Sequence, residues 1–184
     1  TPVSASVTPI GTPAAPVITD VSCVSGVVSV NFTAGAVNGP GTIATYKYTL
    51  DNGATFKYAT GSSSPVTIRG LDYGTPYSIK IASFTSLGAQ SAWSNAVTFT
   101  STAVPDVPVV ASIVPGDQTL AVVFVPGSSN GSAVTGYEYS LDGATYASIA
   151  TTSVSGGKLS ATVSGLNNGT AYSVQIRAVN AVGR

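Results

Sequence analysis

Residues 70–77 read Gly-Leu-Asp-Tyr-Gly-Thr-Pro-Tyr, and residues 165–172 repeat this stretch as Gly-Leu-Asn-Asn-Gly-Thr-Ala-Tyr. In each copy a leucine is followed by a glycine turn and then by a tyrosine that opens an alternating run of apolar residues. These runs are Tyr77, Ile79 and Ile81 in the first copy, and Tyr172, Val174 and Ile176 in the second. An apolar residue at every second position predicts a strand with one buried face.

A tyrosine that follows a tight corner and heads a strand is typical of immunoglobulin-like β-sandwiches. Its ring lies in the core while its hydroxyl binds the backbone of the corner. Tyr77 and Tyr172 are 95 positions apart, which is about the length of one seven-stranded sandwich. The repeat therefore predicts an all-β chain made of two sandwiches in tandem.

The strands that precede each corner also repeat in the same order. Three alternating apolar residues are followed by two tyrosines and a leucine, and then by a hairpin turn that reads Asp-Asn-Gly or Asp-Gly. The matching sets are Val28, Val30, Phe32, Tyr46, Tyr48 and Leu50 in the first copy, and Leu120, Val122, Phe124, Tyr137, Tyr139 and Leu141 in the second. Proline-rich linkers divide the chain into a lone strand with a linker at 1–12, a sandwich at 13–102 and a second sandwich at 103–184.

The composition excludes several classes of function. Only 8% of the residues are charged and the formal net charge is zero, which argues against nucleic-acid partners and against attachment to anionic membranes. No apolar run is long enough to predict membrane insertion. Hydrophobic residues make up 43% of the chain, so each unit can bury a core. Abundant Ser, Thr, Val, Ala and Gly are typical of secreted and cell-surface bacterial proteins.

These residues resemble tandem fibronectin type III domains of bacterial extracellular or surface proteins. The resemblance rests on prolines at the start of each copy (Pro16 and Pro108), on the paired tyrosines, and on the Leu-x-x-Gly-Thr-x-Tyr corner. The family usually carries tryptophan on the second strand, where this chain has Phe32 and Phe124. The resemblance implies two tandem immunoglobulin-like (fibronectin type III) sandwiches, but this sandwich serves many functions.

The second copy lacks a counterpart of the final strand that the first copy has at residues 93–100. When the sequence is written cyclically, the leading residues supply one, and Val3, Ala5 and Val7 correspond to Asn95, Val97 and Phe99. One explanation is a window on a longer tandem array that is out of phase with the domains. Another is a subunit whose leading strand completes the second domain of a neighbour, as in donor-strand complementation. A third is an incomplete second domain.

In either of the first two cases the partners are other copies of the chain or adjacent repeats, joined head to tail. Such a contact need not close, so it builds a filament. The assembly interface is predicted at Val3, Ala5 and Val7, which pack against Tyr172, Val174 and Ile176.

The sequence offers no catalytic site, no cofactor site and no metal site. Histidine is absent, and Glu138 is the only glutamate; its place between two inward-facing tyrosines predicts a solvated side chain with no acid–base partner. The aspartates fall at turns or linkers, where they bind backbone groups. Trp93 is expected to cover the sandwich edge or, alternatively, to contact a ligand at the surface.

The sequence therefore predicts a non-catalytic, extracellular or cell-surface structural protein that forms a unit of an end-to-end fibre or stalk. The alternative is an adhesive, polysaccharide-binding or spacer module of a larger secreted protein or enzyme, which contacts extracellular glycan or a host surface. That alternative requires an exposed aromatic strip. The sequence suggests only Trp93 and some tyrosines on hairpin return strands for it.

Overall fold

The computed structural model describes Ser6 and residues 8–184. Over this range the chain forms fourteen strands and no helix. It divides into two compact units between Ser101 and Thr102. The expectation of an all-β chain with two tandem sandwiches is confirmed. Val3, Ala5 and Val7, the residues expected to join one copy to the next, lie outside the described residues.

The first unit packs a sheet of three strands against a sheet of four. Its strands are β1 (Val17–Val24), β2 (Val27–Thr33), β3 (Ile43–Thr49), β4 (Lys57–Tyr58), β5 (Val66–Ile68), β6 (Pro76–Thr85) and β7 (Val97–Thr100). The sheets run in the orders β1-β2-β5 and β4-β3-β6-β7, with every pairing antiparallel. This is the arrangement of an immunoglobulin-like sandwich.

The core of the first unit lies between these sheets, where the alternating residues predicted to face inward are buried. The buried set is Ile18, Val28, Val30, Phe32, Tyr46, Val66, Ile68, Ile79 and Ile81. The predicted corner is also confirmed, since the Asp72 amide donates to the Tyr77 hydroxyl at 3.0 Å.

The second unit has a sheet of four strands and a sheet of only three. Its strands are β8 (Val109–Gly116), β9 (Thr119–Val125), β10 (Val134–Ser140), β11 (Ala147–Ile149), β12 (Thr152–Val154), β13 (Lys158–Ser164) and β14 (Gln175–Asn180). The sheets run in the orders β12-β13-β9-β8 and β11-β10-β14. Its corner matches the first, with the Asn167 amide donating to the Tyr172 hydroxyl at 3.0 Å.

The start of the last strand differs from the sequence-based expectation. In the first unit, residues 76–79 of β6 pair with β7. In the second unit, among the described residues, no strand lies beside residues 171–174, and regular pairing begins only where Gln175 meets Ser140 of β10. Tyr172 and Val174 therefore precede β14 instead of belonging to it, because they lack a ladder partner. Both still pack against the core of the second unit.

The hairpin turns form as the sequence predicts. Asp142 Oδ1 accepts hydrogen bonds from the backbone amides of Ala144 at 2.8 Å and Thr145 at 2.7 Å, and from the Ser140 hydroxyl at 2.8 Å. The backbone amide of Thr145, with the other donors, holds the pKa of the Asp142 carboxyl well below its usual range. Asp51 is held in the same way by Thr49 and Thr55 in the first unit. Both aspartates thus act as turn-forming acceptors.

Candidate assembly site on the second sandwich

The first unit shows how one edge of this sandwich is closed. Strand β7 pairs with β6 of one sheet and lies beside β1 of the other. Just before β7, the Asn95 carboxamide joins the two sheets: its Oδ1 accepts from the Ile18 amide at 2.8 Å and its Nδ2 donates to the Ile18 carbonyl at 3.2 Å. The segment that ends in β7 therefore covers the seam between the sheets.

The residues that lead into β7 extend this cover through their side chains. The hydroxyls of Ser91 and Ser94 accept hydrogen bonds from the amides of Ser83 at 2.9 Å and Ile81 at 3.0 Å. In return, the Ser91 and Ser94 amides donate to the carbonyls of the same two residues, at 3.0 Å and 2.8 Å. Both serines are buried. The outer edge of β6 is thus hydrogen-bonded beyond the regular ladder.

In the second unit the corresponding edge of β14 is open. Ile176 and Ala178 pair with Tyr139 and Tyr137 of β10, in the same register in which Ile81 and Ser83 pair with Tyr48 and Tyr46. In the first unit the amides of Ile81 and Ser83 point away from that neighbouring strand. The amides of Ile176 and Ala178 therefore point away from β10, to a side where residues 8–184 place no hydrogen-bonding partner.

The uncovered edge also exposes apolar residues of β8. Ile18 and Val110 occupy equivalent places, each just before a register shift in the pairing with the next strand. Ile18 is 5% exposed, whereas Val110 is 37% exposed. Ile113, three residues further along β8, is exposed as well. The difference arises because β7 covers β1 in the first unit and no described strand covers β8.

A groove of about 490 Å³ lies at this open edge, and we call it the lateral groove. Its walls come from the start of β8 and from β14, and it is lined by Val107, Pro108, Val110, Tyr146, Gln175, Ile176, Arg177 and Arg184. Of the three residues predicted to receive a strand, Ile176 is buried and lines the groove. Tyr172 and Val174 are half-buried in the adjacent segment. Their role in assembly stays a prediction.

One rim of the lateral groove carries a charged cluster that the sequence did not predict. The Glu138 carboxylate accepts hydrogen bonds from Arg177 at 2.7 Å and from Arg184 at 3.1 Å, and the Arg177 guanidinium lies 3.5 Å from the centre of the Tyr146 ring. The hydrogen bond from Arg177, reinforced by Arg184, lowers the pKa of Glu138. The expectation of a solvated Glu138 side chain is therefore wrong, because that side chain is only 13% exposed and cross-strand pairing places Arg177 directly opposite it.

A second surface feature lies on the first unit, at the hairpin return strand where the sequence suggested exposed tyrosines, but the sequence did not predict the side chains that surround it. Phe56 and Tyr58 are 52% and 53% exposed, and Phe84 lies beside them on β6. The Lys47 ammonium lies 4.3, 5.5 and 5.0 Å from the ring centres of Phe56, Tyr58 and Phe84, and donates to the Gln90 carboxamide at 2.7 Å. We call Phe56, Tyr58, Phe84 and Lys47 the aromatic cluster. Trp93 is half-buried and is not part of it.

Among the described residues, no three histidine, cysteine, aspartate or glutamate side chains lie close enough together to hold a metal ion. The described part of the chain likewise contains no helix that could cross a membrane.

No family model and no curated protein matches the sequence of this chain. Among solved structures it is similar to the FN1–FN3 domains of chicken CNTN1, with 18% identity, a TM-score of 0.39 and coverage of 94% of this chain and 62% of that one. It is also similar to the sixth fibronectin type III domain of human fibronectin type III domain containing protein 3, with 17% identity, a TM-score of 0.37 and coverage of 61% and 97%. The chain thus spans about 62% of the length of the chicken structure.

Proposed function

We propose that this chain is a non-catalytic, extracellular structural protein that forms one unit of an end-to-end fibre or surface stalk. In this proposal the lateral groove is the joint, and a β-strand of a neighbouring copy fills it. The observation that carries the proposal is the difference between the two units: β7 covers β1 and the outer edge of β6, while β8 and β14 have no such cover among the described residues.

The groove offers both contributions that strand addition needs, namely backbone hydrogen bonds and apolar side chains to cover. Backbone groups of Ile176 and Ala178 are available for a ladder, and each new hydrogen bond contributes about 1 kcal/mol. Covering the exposed parts of Val110 and Ile113 adds roughly 0.5–1 kcal/mol for each side chain. Main-chain pairing of this kind gives affinity, and the side chains that enter the groove give specificity.

We assign the donor to residues 1–9 of a second copy. Their sequence places Val3, Ala5 and Val7 at alternating positions and therefore on one face, which suits an apolar groove such as the one between β8 and β14. Because the donating segment and the receiving groove are different parts of the chain, the contact is head-to-tail and propagates where it does not close.

A pair of matched variants tests this assignment. Val3→Asp with Val7→Asp puts two charges on the face expected to enter the groove, whereas Ser6→Asp with Thr8→Asp puts the same two charges on the opposite face. We expect the native chain and the variant at Ser6 and Thr8 to form filaments in negative-stain images and light scattering, and the valine variant to remain a single chain. Filaments from the valine variant, or a native chain that stays monomeric at high concentration, would overturn the proposal.

The aromatic cluster favours a second function, adhesion to a polysaccharide. Two aromatic side chains that are more than half exposed, next to a lysine, form the kind of surface patch that marks binding sites. Sugar rings can stack on Phe56 and Tyr58, and the charge of Lys47, which is buried beneath the rings, favours acidic sugars over neutral ones.

Affinity electrophoresis tests this second function, with gels that contain a soluble acidic polysaccharide such as polygalacturonate. We expect retardation of the native chain and its loss in Phe56→Ala with Tyr58→Ala. Tyr73→Ala removes a similarly exposed ring that lies elsewhere on the first unit, and it should leave the retardation unchanged. Equal mobility of all three chains in gels with and without the polysaccharide would exclude the second function.

A further inference from the structure

The segment that closes the first unit is held by a specific set of side chains. Each serine hydroxyl is used twice: Ser91 Oγ accepts from the Ser83 amide and donates to the Ala92 carbonyl at 2.7 Å, and Ser94 Oγ accepts from the Ile81 amide and donates to the Asn95 carbonyl at 2.7 Å. The two serines are three residues apart, whereas the two amides they bind are two residues apart on β6. The closing segment thus has one residue more than β6 between these two contacts, as in a β-bulge, and the serine hydroxyls accept the hydrogen bonds that backbone carbonyls would accept in a regular ladder.

The carboxamide next to the second serine completes the set. Asn95 contacts both the amide and the carbonyl of Ile18, as a peptide group of a neighbouring strand would do. The closing segment therefore carries the pattern Ser-x-x-Ser-Asn, followed by the apolar residues Val97 and Phe99 at alternating positions of β7.

The lateral groove presents the same backbone groups in the same places. The amides of Ile176 and Ala178 stand where those of Ile81 and Ser83 stand, since their pairings with the neighbouring strand match. Val110 stands where Ile18 stands, opposite Phe124 and one step before the register shift. A segment that closes this groove thus meets the same hydrogen-bonding demands as the segment that leads into β7.

We infer that the lateral groove selects its strand through two hydroxyl side chains three residues apart, and that Thr1 and Ser4 of a second copy supply them. This inference rests on the proposed function, in which residues 1–9 are the donor. Thr1 takes the place of Ser91 and Ser4 that of Ser94, so that Ala5 stands where Asn95 makes its bridge and Val7 stands at the place of Val97.

This register differs by two residues from the one that apolar matching alone predicts, in which Val3 takes the place of Asn95. Both registers keep the same residues on the inner face, because strand side chains alternate with period two. They differ at Pro2, which has no N–H to donate. In the hydroxyl register Pro2 replaces Ala92, whereas in the apolar register it replaces Ser94, whose amide donates to Ile81. The hydroxyl register therefore keeps that bond and ends the paired stretch at Thr8, just before Pro9.

Ala5 separates the two registers experimentally. In the hydroxyl register an asparagine at position 5 can bridge to the Val110 backbone as Asn95 bridges to Ile18, and binding should strengthen. In the apolar register position 5 takes the place of Val97 and packs into the groove, so that the same asparagine should weaken binding. The two registers thus predict opposite effects of Ala5→Asn on binding.

The experiment measures fluorescence anisotropy of labelled peptides added to the full chain carrying Val3→Asp and Val7→Asp, which keeps its groove but cannot donate. The peptides are residues 1–9, residues 88–101, and variants of each. We expect both native peptides to bind and to shift the NMR amide signals of Ile176 and Ala178. Ser91→Ala with Ser94→Ala should weaken binding of the longer peptide about 10- to 100-fold, from roughly three- to tenfold for each lost hydrogen bond. Thr1→Ala with Ser4→Ala should weaken binding of the shorter peptide by a similar factor, and Ala5→Asn should make that peptide bind more tightly.

The outcomes distinguish this inference from the proposed function. Thr98→Ala, which alters an exposed residue of β7, is the control and should not change binding of the longer peptide. If no peptide binds, the groove does not take a strand and the proposed function fails. If the native peptides bind but the hydroxyl-free variants bind equally well, or if Ala5→Asn weakens binding, the groove takes a strand without this selection and only the inference fails.

Discussion

The Phe124→Ala variant is expected to lose about 3–5 kcal/mol of the free energy of unfolding of the second unit. Phe124 is fully buried, and its ring lies 5.0 Å from that of Tyr137 in a T-shaped contact. Removing the ring leaves a cavity between the two sheets and also removes the contact with Tyr137, which contributes about 0.5–1.5 kcal/mol beyond its buried area. Because domains of this size are stable by only about 5–15 kcal/mol, this loss should remove a large part of the stability of the second unit.

The chain provides its own reporter for this experiment. Trp93 is the only tryptophan and lies in the first unit, so its fluorescence follows that unit, whereas far-UV circular dichroism follows both. During urea unfolding, Phe124→Ala should shift only the circular dichroism transition of the second unit. Phe32→Ala is the matched control, since Phe32 packs on Tyr46 at 4.5 Å in the first unit, and it should shift the Trp93 transition instead. A second unit that loses less than about 1 kcal/mol would show that its core tolerates the cavity.

The repeated corner and the alternating strands allowed most of the fold to be predicted. Tyr77 and Tyr172 sit at their corners with their hydroxyls bound to backbone, because the requirement that places a tyrosine there is local in sequence. Burial of Phe32 and Phe124 followed from period two in the same way. Strand β12 has no such signal, because all three of its residues are exposed and it forms only by pairing with β13.

The features of the candidate sites that were missed depend on contacts between distant segments. The alternating pattern extends from Tyr172 to Ile176, but the strand begins at Gln175 because pairing requires a neighbour. The aromatic cluster joins Lys47 and Phe84, which are far apart in sequence. The sequence suggested exposed tyrosines on hairpin return strands, and Tyr58 is one of them. Phe84 gave a further signal, because it lies out of phase with inward-facing Ile79 and Ile81 on β6, which places its ring on the outer face.

The Asn180→Ala variant is the second change for which we expect a large effect, a loss of about 2–4 kcal/mol from the second unit. Asn180 is buried at the end of β14. Its Nδ2 donates to three carbonyl oxygens, those of Ala103 at 2.8 Å, Ser129 at 3.2 Å and Ser132 at 3.3 Å. Its Oδ1 accepts from the amides of Val182 at 2.9 Å and Gly183 at 3.1 Å.

One carboxamide thus ties together the segment before β8, the loop before β10 and the turn after β14, and the turn leads directly to Arg184 at the lateral groove. Alanine leaves these backbone groups without the partner that burial requires. The loss should lower the Tm of the second unit by roughly 8–32 °C, at about 4–8 °C for each kcal/mol. Asn180→Asp keeps the acceptor for the turn but removes the donor. Hydrogen exchange at the Val182 and Gly183 amides should therefore stay slow in Asn180→Asp and become fast in Asn180→Ala. Exposed Asn167 is the control, and Asn167→Ala should change the Tm little. If Asn180→Ala melts like Asn167→Ala, water replaces the carboxamide and Asn180 does not hold the three segments together.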